Sequence, residues 1–280
     1  MQEAYRSGSR LARKLIERDR PDVAHGLTTT QVVVVRGQFD RAESIFELAG
    51  IPCTGVEPQD VVGLDLQPDQ VLLIDCPGKL PGRALMKVRD FVHRGGLLVT
   101  TDWALRHVIE RAFPGFVAYG GRATADDVVR VVFEPVEDGF LDGLLDGNDD
   151  PLWWLEGSSY PIEVLDPARV KVLVSSEEME RKYGKAPIVV AFEAGEGKVY
   201  HLTSHFYLQR AESRTARHAA RGSEYLREKG VCPSVFSSEE RAAFESASLT
   251  EVQSAYTSSR AMANLVITQT DRLERRRKRS

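Results

Sequence analysis

Four consecutive valines, Val32 to Val35, are the sequence feature that most limits how this chain can fold. A β-branched run of this kind favours a strand, because such side chains pack well on a pleated surface. Apolar and polar residues do not alternate in this run, so it does not match the pattern of a strand with one solvent-exposed face. A strand that is apolar on both sides must be covered on both sides, as in a parallel sheet flanked by helices.

The segments that follow alternate between strand and helix patterns. The predicted strands are 31–35, 51–56, 71–74 and 97–100, and the predicted helices are 40–49, 83–93 and 104–112. This spacing predicts right-handed βαβ units and an α/β fold with a three-layer, doubly wound, mostly parallel sheet. After residue 128 strands and helices no longer alternate regularly. The expected elements there are strands at 128–133 and 170–174, a hairpin at 188–203 and a helix at 210–229.

The 280 residues are enough for one large α/β domain or two small ones. We predict an N-terminal helix within residues 1–26, one α/β domain over residues 27–230 and a C-terminal helical extension over residues 231–280. The last part includes a long helix at 249–278, and residues 231–238 are a plausible hinge.

The composition of the chain argues against several classes of protein function. The formal net charge of −4 argues against a general affinity for nucleic acid or anionic membranes. No stretch approaches the roughly 20 apolar residues that cross a bilayer. The three cysteines are odd in number and widely spaced, so we expect no disulfide framework, no zinc site and a cytoplasmic location.

The last ten residues, 271–280, form a basic tail with six Arg or Lys residues and two acidic ones. Such a run suits a solvated helix end, where cations complement the helix dipole. The alternative is a contact with nucleic acid or an acidic partner.

The stretch Gly95–Leu105 predicts a buried strand, a tight turn and a helix. In several classes of α/β enzyme this junction holds a Cys or Ser nucleophile among small residues. Here the corresponding residues are Thr101, Asp102 and Trp103. The chain is therefore expected to keep the architecture of an active site while changing the residue that would do the chemistry.

Three segments resemble the class I glutamine amidotransferase-like superfamily, and within it the trehalose-utilisation type branch. They are Val71–Gly78, Leu85–Val99 with its Gly95-Gly96 pair, and the Gly195–His205 hairpin. The resemblance covers roughly residues 30–210 and implies the fold. It also implies a Cys at the strand-to-helix turn, where this chain has Thr101 or Asp102.

Two further features of the family are missing from this chain. The family's catalytic His is followed by Pro and Glu, whereas His205 is followed by Phe206 and Tyr207. The family also has a glycine-rich oxyanion loop, and no recognisable glycine pair follows Gly37. The resemblance therefore implies the fold without implying glutaminase activity.

Candidate catalytic residues are Asp102, His205 and Cys76. Asp102 and His205 could meet at the carboxyl edge of the sheet, where a carboxylate holding an imidazole supports general-base chemistry. The same pair could equally be a structural hydrogen bond between buried groups. Cys76 could be a thiolate activated by a His, or simply a buried cysteine.

A metal site made from His201, His205, Asp75 and Asp102 is less attractive. Two residues four apart on a strand lie about 13 Å from each other, too far for one ion unless the chain turns between them. We therefore predict no metal. No cofactor is predicted either, because the chain has neither a phosphate-binding P-loop motif nor a G-x-G-x-x-G fingerprint after its first strand.

Candidate ligand-binding residues lie near the expected strand ends and in an aromatic segment. They are Gly37, Asp75, Thr101, Trp103, Trp153, Tyr160 and His201. Trp153 and Trp154, followed by Ser158–Pro161, could form a loop over a pocket for a sugar or nucleoside. The alternative is a core anchor for an irregular segment.

These observations predict a catalytically degenerate amidotransferase-like domain that binds a small ligand or a protein partner. Its terminal helices would mediate assembly, with a homo-oligomer as one outcome. One alternative is a hydrolase or amidotransferase relative that uses Asp102 and His205, with or without Cys76. The other is a scaffold whose basic residues 271–280 contact nucleic acid.

Overall fold

Twelve strands and ten α-helices are present in a computed structural model that describes residues 1–205 and 208–278. The strands are β1 Val32–Val35, β2 Cys53–Val56, β3 Val71–Ile74, β4 Leu97–Thr101, β5 Val117–Tyr119, β6 Asp127–Arg130, β7 Val132–Phe133, β8 Leu152–Leu155, β9 Ile162–Val164, β10 Val170–Ser175, β11 Pro187–Ala194 and β12 Gly197–Leu202. The helices are α1 Gln2–Asp19, α2 Pro21–Ala24, α3 Gly26–Thr29, α4 Ala42–Ala49, α5 Gly82–His93, α6 Glu110–Ala112, α7 Glu177–Tyr183, α8 Gly222–Glu228, α9 Ser238–Ser246 and α10 Leu249–Arg277.

Eight of these strands form one sheet in the order β2-β1-β3-β4-β12-β11-β10-β7. The strands from β2 to β12 in this order run parallel, and β11, β10 and β7 continue the sheet antiparallel. The pairs β5–β9 and β6–β8 form two small separate sheets. The predicted α/β architecture with a mostly parallel central sheet is therefore confirmed.

The valine run shows why the sheet needs two covering layers. Val32 and Val34 face a core that also contains residues of α1, α4 and α10, whereas Val33 and Val35 face a core with α5. All four side chains are at most 5% exposed. Alternate side chains of β1 are thus buried on opposite faces, as the unbroken apolar run predicts.

Helix α10 runs through the centre of the molecule, and every residue from Val252 to Thr270 is buried. Several of its polar side chains are hydrogen-bonded within the protein, as is usual for buried polar groups. The Ser259 and Ser9 hydroxyls lie 2.7 Å apart, and the Asn264 amide donates to the Phe140 carbonyl oxygen at 2.9 Å. The predicted long helix at 249–278 is confirmed, and it shares one core with α1 and the sheet.

The predicted helix at 210–229 is wrong over its first half, because only Gly222–Glu228 is helical. The side chains upstream are held by distant partners that an exposed helix could not reach. Arg214 bonds the Val128 carbonyl oxygen and pairs with Glu178, and buried His218 lies 3.1 Å from the Asp150 carbonyl oxygen. Tertiary contacts therefore override the local helical pattern.

The helices on both sides of the predicted domain boundaries pack into the same core as the sheet. The division into three parts and the assembly role of the terminal helices stay predictions. Within the described residues, no helix combines the length and apolar character that crossing a bilayer requires.

Candidate functional site

The turn at Thr101–Trp103, here called the elbow, joins β4 to a helical segment that begins at Leu105. Asp102 has a φ of +43°. Few residues other than glycine adopt this region, and a residue held there between a strand and a helix resembles the nucleophile position of α/β enzymes. Of the two elbow positions that the sequence left open, Asp102 is the one with positive φ.

Cys76, Asp102 and His205 come together because they follow three neighbouring strands, β3, β4 and β12. The Cys76 Sγ atom lies 3.8 Å from Asp102 Oδ2, and His205 Nε2 lies 3.4 Å from the same oxygen. These residues are 1%, 2% and 3% exposed, respectively. The structure thus brings the three predicted catalytic residues into one buried group.

Glu156 is a fourth member of this group that the sequence analysis missed. Its Oε2 atom lies 2.8 Å from Nδ1 of His205, on the opposite side of the imidazole ring from Asp102. Its only sequence signal is an acidic residue directly after the apolar strand β8. We refer to Cys76, Asp102, Glu156 and His205 as the elbow cluster.

The segment Ser158–Tyr160 covers the elbow. The Tyr160 backbone N–H donates to Asp102 Oδ1 at 2.7 Å, and the Ser159 hydroxyl donates to Asp102 Oδ2 at 3.1 Å. The Trp103 ring stacks on the Tyr160 ring with centroids 5.6 Å apart, and its indole N–H donates to the Ser158 carbonyl oxygen. Both oxygens of the Asp102 carboxylate are therefore engaged by the protein itself.

Backbone amides near the elbow are also hydrogen-bonded within the protein. The N–H groups of Gln38 and Phe39 donate to the Cys76 carbonyl oxygen at 2.9 and 3.4 Å. Gly37 allows this close approach, since a Cβ there would collide with the same carbonyl group. These two amides are thus already used by the Cys76 main chain.

Burial and charge shift the pKa values of the cluster. Burial raises the pKa of Asp102 and of the Cys76 thiol. Burial alone would lower the pKa of His205, but Asp40 and the rest of the elbow cluster hold that pKa well above 6.5. In this group the cost of burying charge is offset by direct pairing between the imidazole and the carboxylates.

The other predicted site residues lie in different surroundings. The Thr101 hydroxyl accepts from the Cys76 N–H at 3.0 Å, and burial together with Asp40 raises the pKa of Asp75 well above 3.8. His201 is fully buried, its Nδ1 atom lies 2.8 Å from the Thr100 hydroxyl, and burial lowers its pKa to about 3.

Trp153 lies in the core, where it lines a small void next to His205. It packs edge-on against Phe133 and its indole N–H donates to the Thr257 hydroxyl at 3.1 Å. The side chain is only 3% exposed, and it lies on strand β8 instead of the loop that the sequence suggested. We therefore leave Trp153 and His201 out of the proposed site.

A cavity of about 320 Å³ lies at the carboxyl ends of β1 and β3. Its lining is mostly polar and consists of Val35, Arg36, Gly37, Gln38, Glu57, Pro58, Gln59, Pro77, Gly78 and Lys79. The chain passes from β1 to β2 on one side and returns to β3 on the other, so this is a topological switch point of the sheet. We call it the switch-point cleft, and ligands of open α/β sheets bind at such positions.

No protein-family model matches the chain, and no curated protein matches it. A solved structure described as ThuA-like, from Bacteroides uniformis, has 13% identity and a TM-score of 0.46, covering 63% of this chain and 82% of that one. A cytoplasmic protein from Salmonella typhimurium has 10% identity and a TM-score of 0.42, covering 66% and 91%. A β-galactosidase from Bacillus circulans sp. alkalophilus has 13% identity and a TM-score of 0.45, covering 65% and 31%.

The chain thus spans less than a third of the length of that β-galactosidase. Likenesses at this level describe the general fold, and we take nothing about function from them.

Proposed function

We propose that this protein is a non-catalytic, amidotransferase-like domain that binds a small polar ligand in the switch-point cleft. The observation that supports this best is the closed elbow. Asp102 stands at the turn where the resemblance implies a nucleophilic Cys, and Ser159 and Tyr160 donate hydrogen bonds to its two carboxylate oxygens. A substrate would have to displace both contacts and the Trp103 ring before it reached the carboxylate.

The space beside His205 is small as well. A void of about 10 Å³ lies between His205, Leu202, Leu208 and their neighbours. A cavity needs roughly 10–15 Å³ of this kind of volume to hold one water molecule. The void is therefore too small for a substrate, whereas the switch-point cleft falls in the range of about 300–1,000 Å³ usual for ligand sites.

The lining of the cleft favours a polar ligand. Gln38, Gln59 and Lys79 offer amide and ammonium groups at its surface, and the Arg36 guanidinium lies between Glu43 and Glu57 at 2.8 and 3.2 Å. Hydrogen-bonding groups of this kind fix the orientation of a ligand more than they drive its binding.

The proposal is tested by thermal-shift screening of the full chain against sugars, nucleosides and small carboxylates. A ligand at 100 times its Kd adds about 2.7 kcal/mol to the free energy of unfolding. We expect Gln38→Ala and Lys79→Ala each to weaken the hit at least tenfold. Lys14→Ala, on the exposed face of α1, is the matched control and should leave the Kd unchanged. A hit that is indifferent to both cleft variants would refute the cleft as the site.

A hydrolase is the second candidate, and a specific geometry favours it. The His205 imidazole lies in space between the Asp102 and Glu156 carboxylates, one at each ring nitrogen. The backbone of the elbow has positive φ at Asp102. In this function His205 removes a proton from an attacking water and returns it to the leaving group, while Glu156 orients the ring.

Asp102→Asn distinguishes the two functions, because the amide keeps the shape of the elbow. For a hydrolase, turnover of an ester or amide panel should fall by at least a hundredfold in Asp102→Asn while ligand affinity in the cleft persists. For a binding module, the variant and the unchanged protein should show the same background hydrolysis. Enzyme turnover that Asp102→Asn abolishes would overturn the non-catalytic proposal.

A further inference from the structure

We propose that Cys76, Asp102 and His205 form a buried binding site for one zinc ion. The donor atoms are Cys76 Sγ, Asp102 Oδ2 and His205 Nε2, and all lie within 4.8 Å of one another. The measured separations from Asp102 Oδ2 are 3.8 Å to Sγ and 3.4 Å to Nε2. In a tetrahedral zinc site with bonds of about 2.0–2.3 Å, neighbouring donor atoms are about 3.3–3.5 Å apart. Small side-chain adjustments are therefore sufficient to hold the ion.

The groups around these donors orient them as a metal site requires. Glu156 lies 2.8 Å from Nδ1 of His205, which leaves Nε2 directed at Asp102 and Cys76. A carboxylate on the far nitrogen is the usual partner of a zinc-bound histidine, since it fixes the tautomer and the ring.

The carboxylate ligand is supported in the same way. Tyr160 and Ser159 donate to the two oxygens of Asp102 at 2.7 and 3.1 Å. Three protein ligands leave a fourth tetrahedral position, which the Ser159 hydroxyl or a water molecule can fill.

Charge also favours zinc here. A thiolate and a carboxylate cancel the two charges of the ion, so the bound group is neutral in a site where its ligands are at most 3% exposed. A thiolate ligand selects zinc over magnesium and calcium, which prefer oxygen ligands only.

Cysteine spacing gave no hint of this site, because its ligands follow three separate strands and only one is a cysteine. The inference is independent of the ligand proposed for the switch-point cleft. Zinc uptake and ligand binding in the cleft are measured separately, so the failure of one leaves the other in place.

The test uses the full chain, stripped of metal with a chelator and then titrated with Co²⁺ and Zn²⁺. We expect one ion per chain and a sulfur-to-cobalt charge-transfer absorption. Cys76→Ser should lose that absorption and bind Zn²⁺ at least tenfold more weakly. Cys53→Ser and Cys232→Ser are matched controls, since Cys53 is half-buried on β2 and Cys232 is exposed. Both should keep the absorption.

If circular dichroism shows that Cys76→Ser does not fold, a second variant tests the site. Glu156→Gln leaves all three ligands in place, and loss of such a second carboxylate weakens metal binding by about 10–100-fold. Affinity should fall as the pH is lowered, because binding releases the protons of the ligands. Folded protein that takes up no Zn²⁺, or an absorption that survives in Cys76→Ser and vanishes in Cys232→Ser, would overturn the site.

Discussion

At the scale of single residues, the most informative feature is a buried carboxylate at the turn between β4 and the helical segment that follows it. Asp102 keeps the positive φ of an elbow residue, yet both its oxygens accept hydrogen bonds from the segment that covers it. A backbone in this region costs of order 1–3 kcal/mol for a residue with a side chain. The contacts from Ser159 and Tyr160 offset that cost and hold the turn.

The three cysteines should differ in reactivity towards an alkylating reagent. Cys232 is exposed, and hydrogen bonds from Ser234 lower the pKa of its thiol. Burial raises the pKa of Cys53 to about 11 and also raises the pKa of Cys76. Because the thiolate is the reactive form, we expect labelling in the order Cys232, Cys53, Cys76.

Peptide mass spectrometry after timed alkylation measures this order directly. Cys232→Ser should remove the fast phase and leave the others unchanged. Rapid labelling of Cys76 in folded protein would mean that the elbow is open to solvent, and it would count against the closed-elbow proposal.

His201 should make the protein sensitive to acid. Burial lowers its pKa from 6.5 to about 3, so the folded state holds it neutral. Its contribution to stability is complete above pH 6.5 and is lost as the pH falls from 6.5 towards about 3. The slope of the unfolding free energy against pH approaches about 1.4 kcal/mol per pH unit for one proton. Over the whole range the loss of stability is roughly 4–5 kcal/mol.

Urea unfolding between pH 4 and 7 measures this dependence. The slope of unfolding free energy against pH should flatten in His201→Gln, since a neutral amide takes up no proton. His25→Gln, at an exposed position, should retain the full slope. Equal slopes in all three proteins would show that His201 is not the group that limits acid stability.

Sequence reasoning placed Asp102, His205 and Cys76 at one edge of the sheet because strand ends are easy to locate from apolar runs. Glu156 was missed because its pairing with His205 depends on how two loops pack. No local pattern encodes that contact. His201 was assigned to the ligand site, but strand β12 directs it into the interior beside Thr100.

At the scale of elements, the packing of α1 on α10 depends on small residues. A Cβ on Gly8 would lie 2.6 Å from the Tyr256 backbone nitrogen and 2.8 Å from the Ala255 carbonyl carbon. Both of these are main-chain atoms, so no side chain can rotate away to make room. The two helices would have to separate.

We therefore expect Gly8→Ala to lower the free energy of unfolding by about 1–3 kcal/mol, the usual cost of overpacking a core. Gly82→Ala is the matched control, because Gly82 also lies in a helix and a Cβ there would meet nothing within 4 Å. That change should stabilise by about 0.4–1 kcal/mol through the unfolded state. Denaturant midpoints compare the two, and a neutral Gly8→Ala would show that the helices are less tightly packed.

Strands and helices with strong apolar patterns were predictable, and the irregular segment before α8 was not. Strands β1, β3 and β4 are buried on both faces, so their sequence pattern depends little on their neighbours. The residues at 210–221 have helix-forming composition, but Arg214 and His218 make tertiary contacts that fix another path.

At the scale of the whole molecule, the basic tail at 271–280 and the buried part of α10 contribute differently to the stability of the fold. Arg272 pairs with Glu193 at 3.2 Å, and Arg276 pairs with Glu196 at 3.2 Å. Exposed pairs of this kind contribute about 0.2–1 kcal/mol each. A chain that ends at Thr270 should therefore fold and lose only about 1–2 kcal/mol.

A chain that ends at Ser248 should fail to unfold cooperatively, because it lacks the buried helix that the sheet and α1 pack against. Calorimetry distinguishes the two truncations. If the shorter chain unfolds as one sharp transition, α10 is an addition to a self-sufficient domain. Any salt-sensitive binding to nucleic acid should disappear with residues 271–280, since counterion release scales with the cations involved.

The overall architecture was predictable because each strand–helix unit contains its own apolar pattern. The burial of α10 along most of its length was not predicted, since the sequence analysis identified only a long helix within a C-terminal extension. Polar side chains of α10 are bonded to α1, to the Leu152 carbonyl oxygen of β8 and to the Phe140 carbonyl oxygen.

The burial of α10 also constrains when the protein can become folded in a cell. Translation delivers the first helix and the entire sheet well before residues 252–270 emerge, and domains generally fold as complete units during synthesis. Until α10 arrives, the apolar surfaces of α1, α4 and the sheet face that it covers stay open to solvent or to a chaperone. A ribosome that stalls between residues 205 and 250 would therefore hold a nascent chain with all its strands but an exposed half of its core.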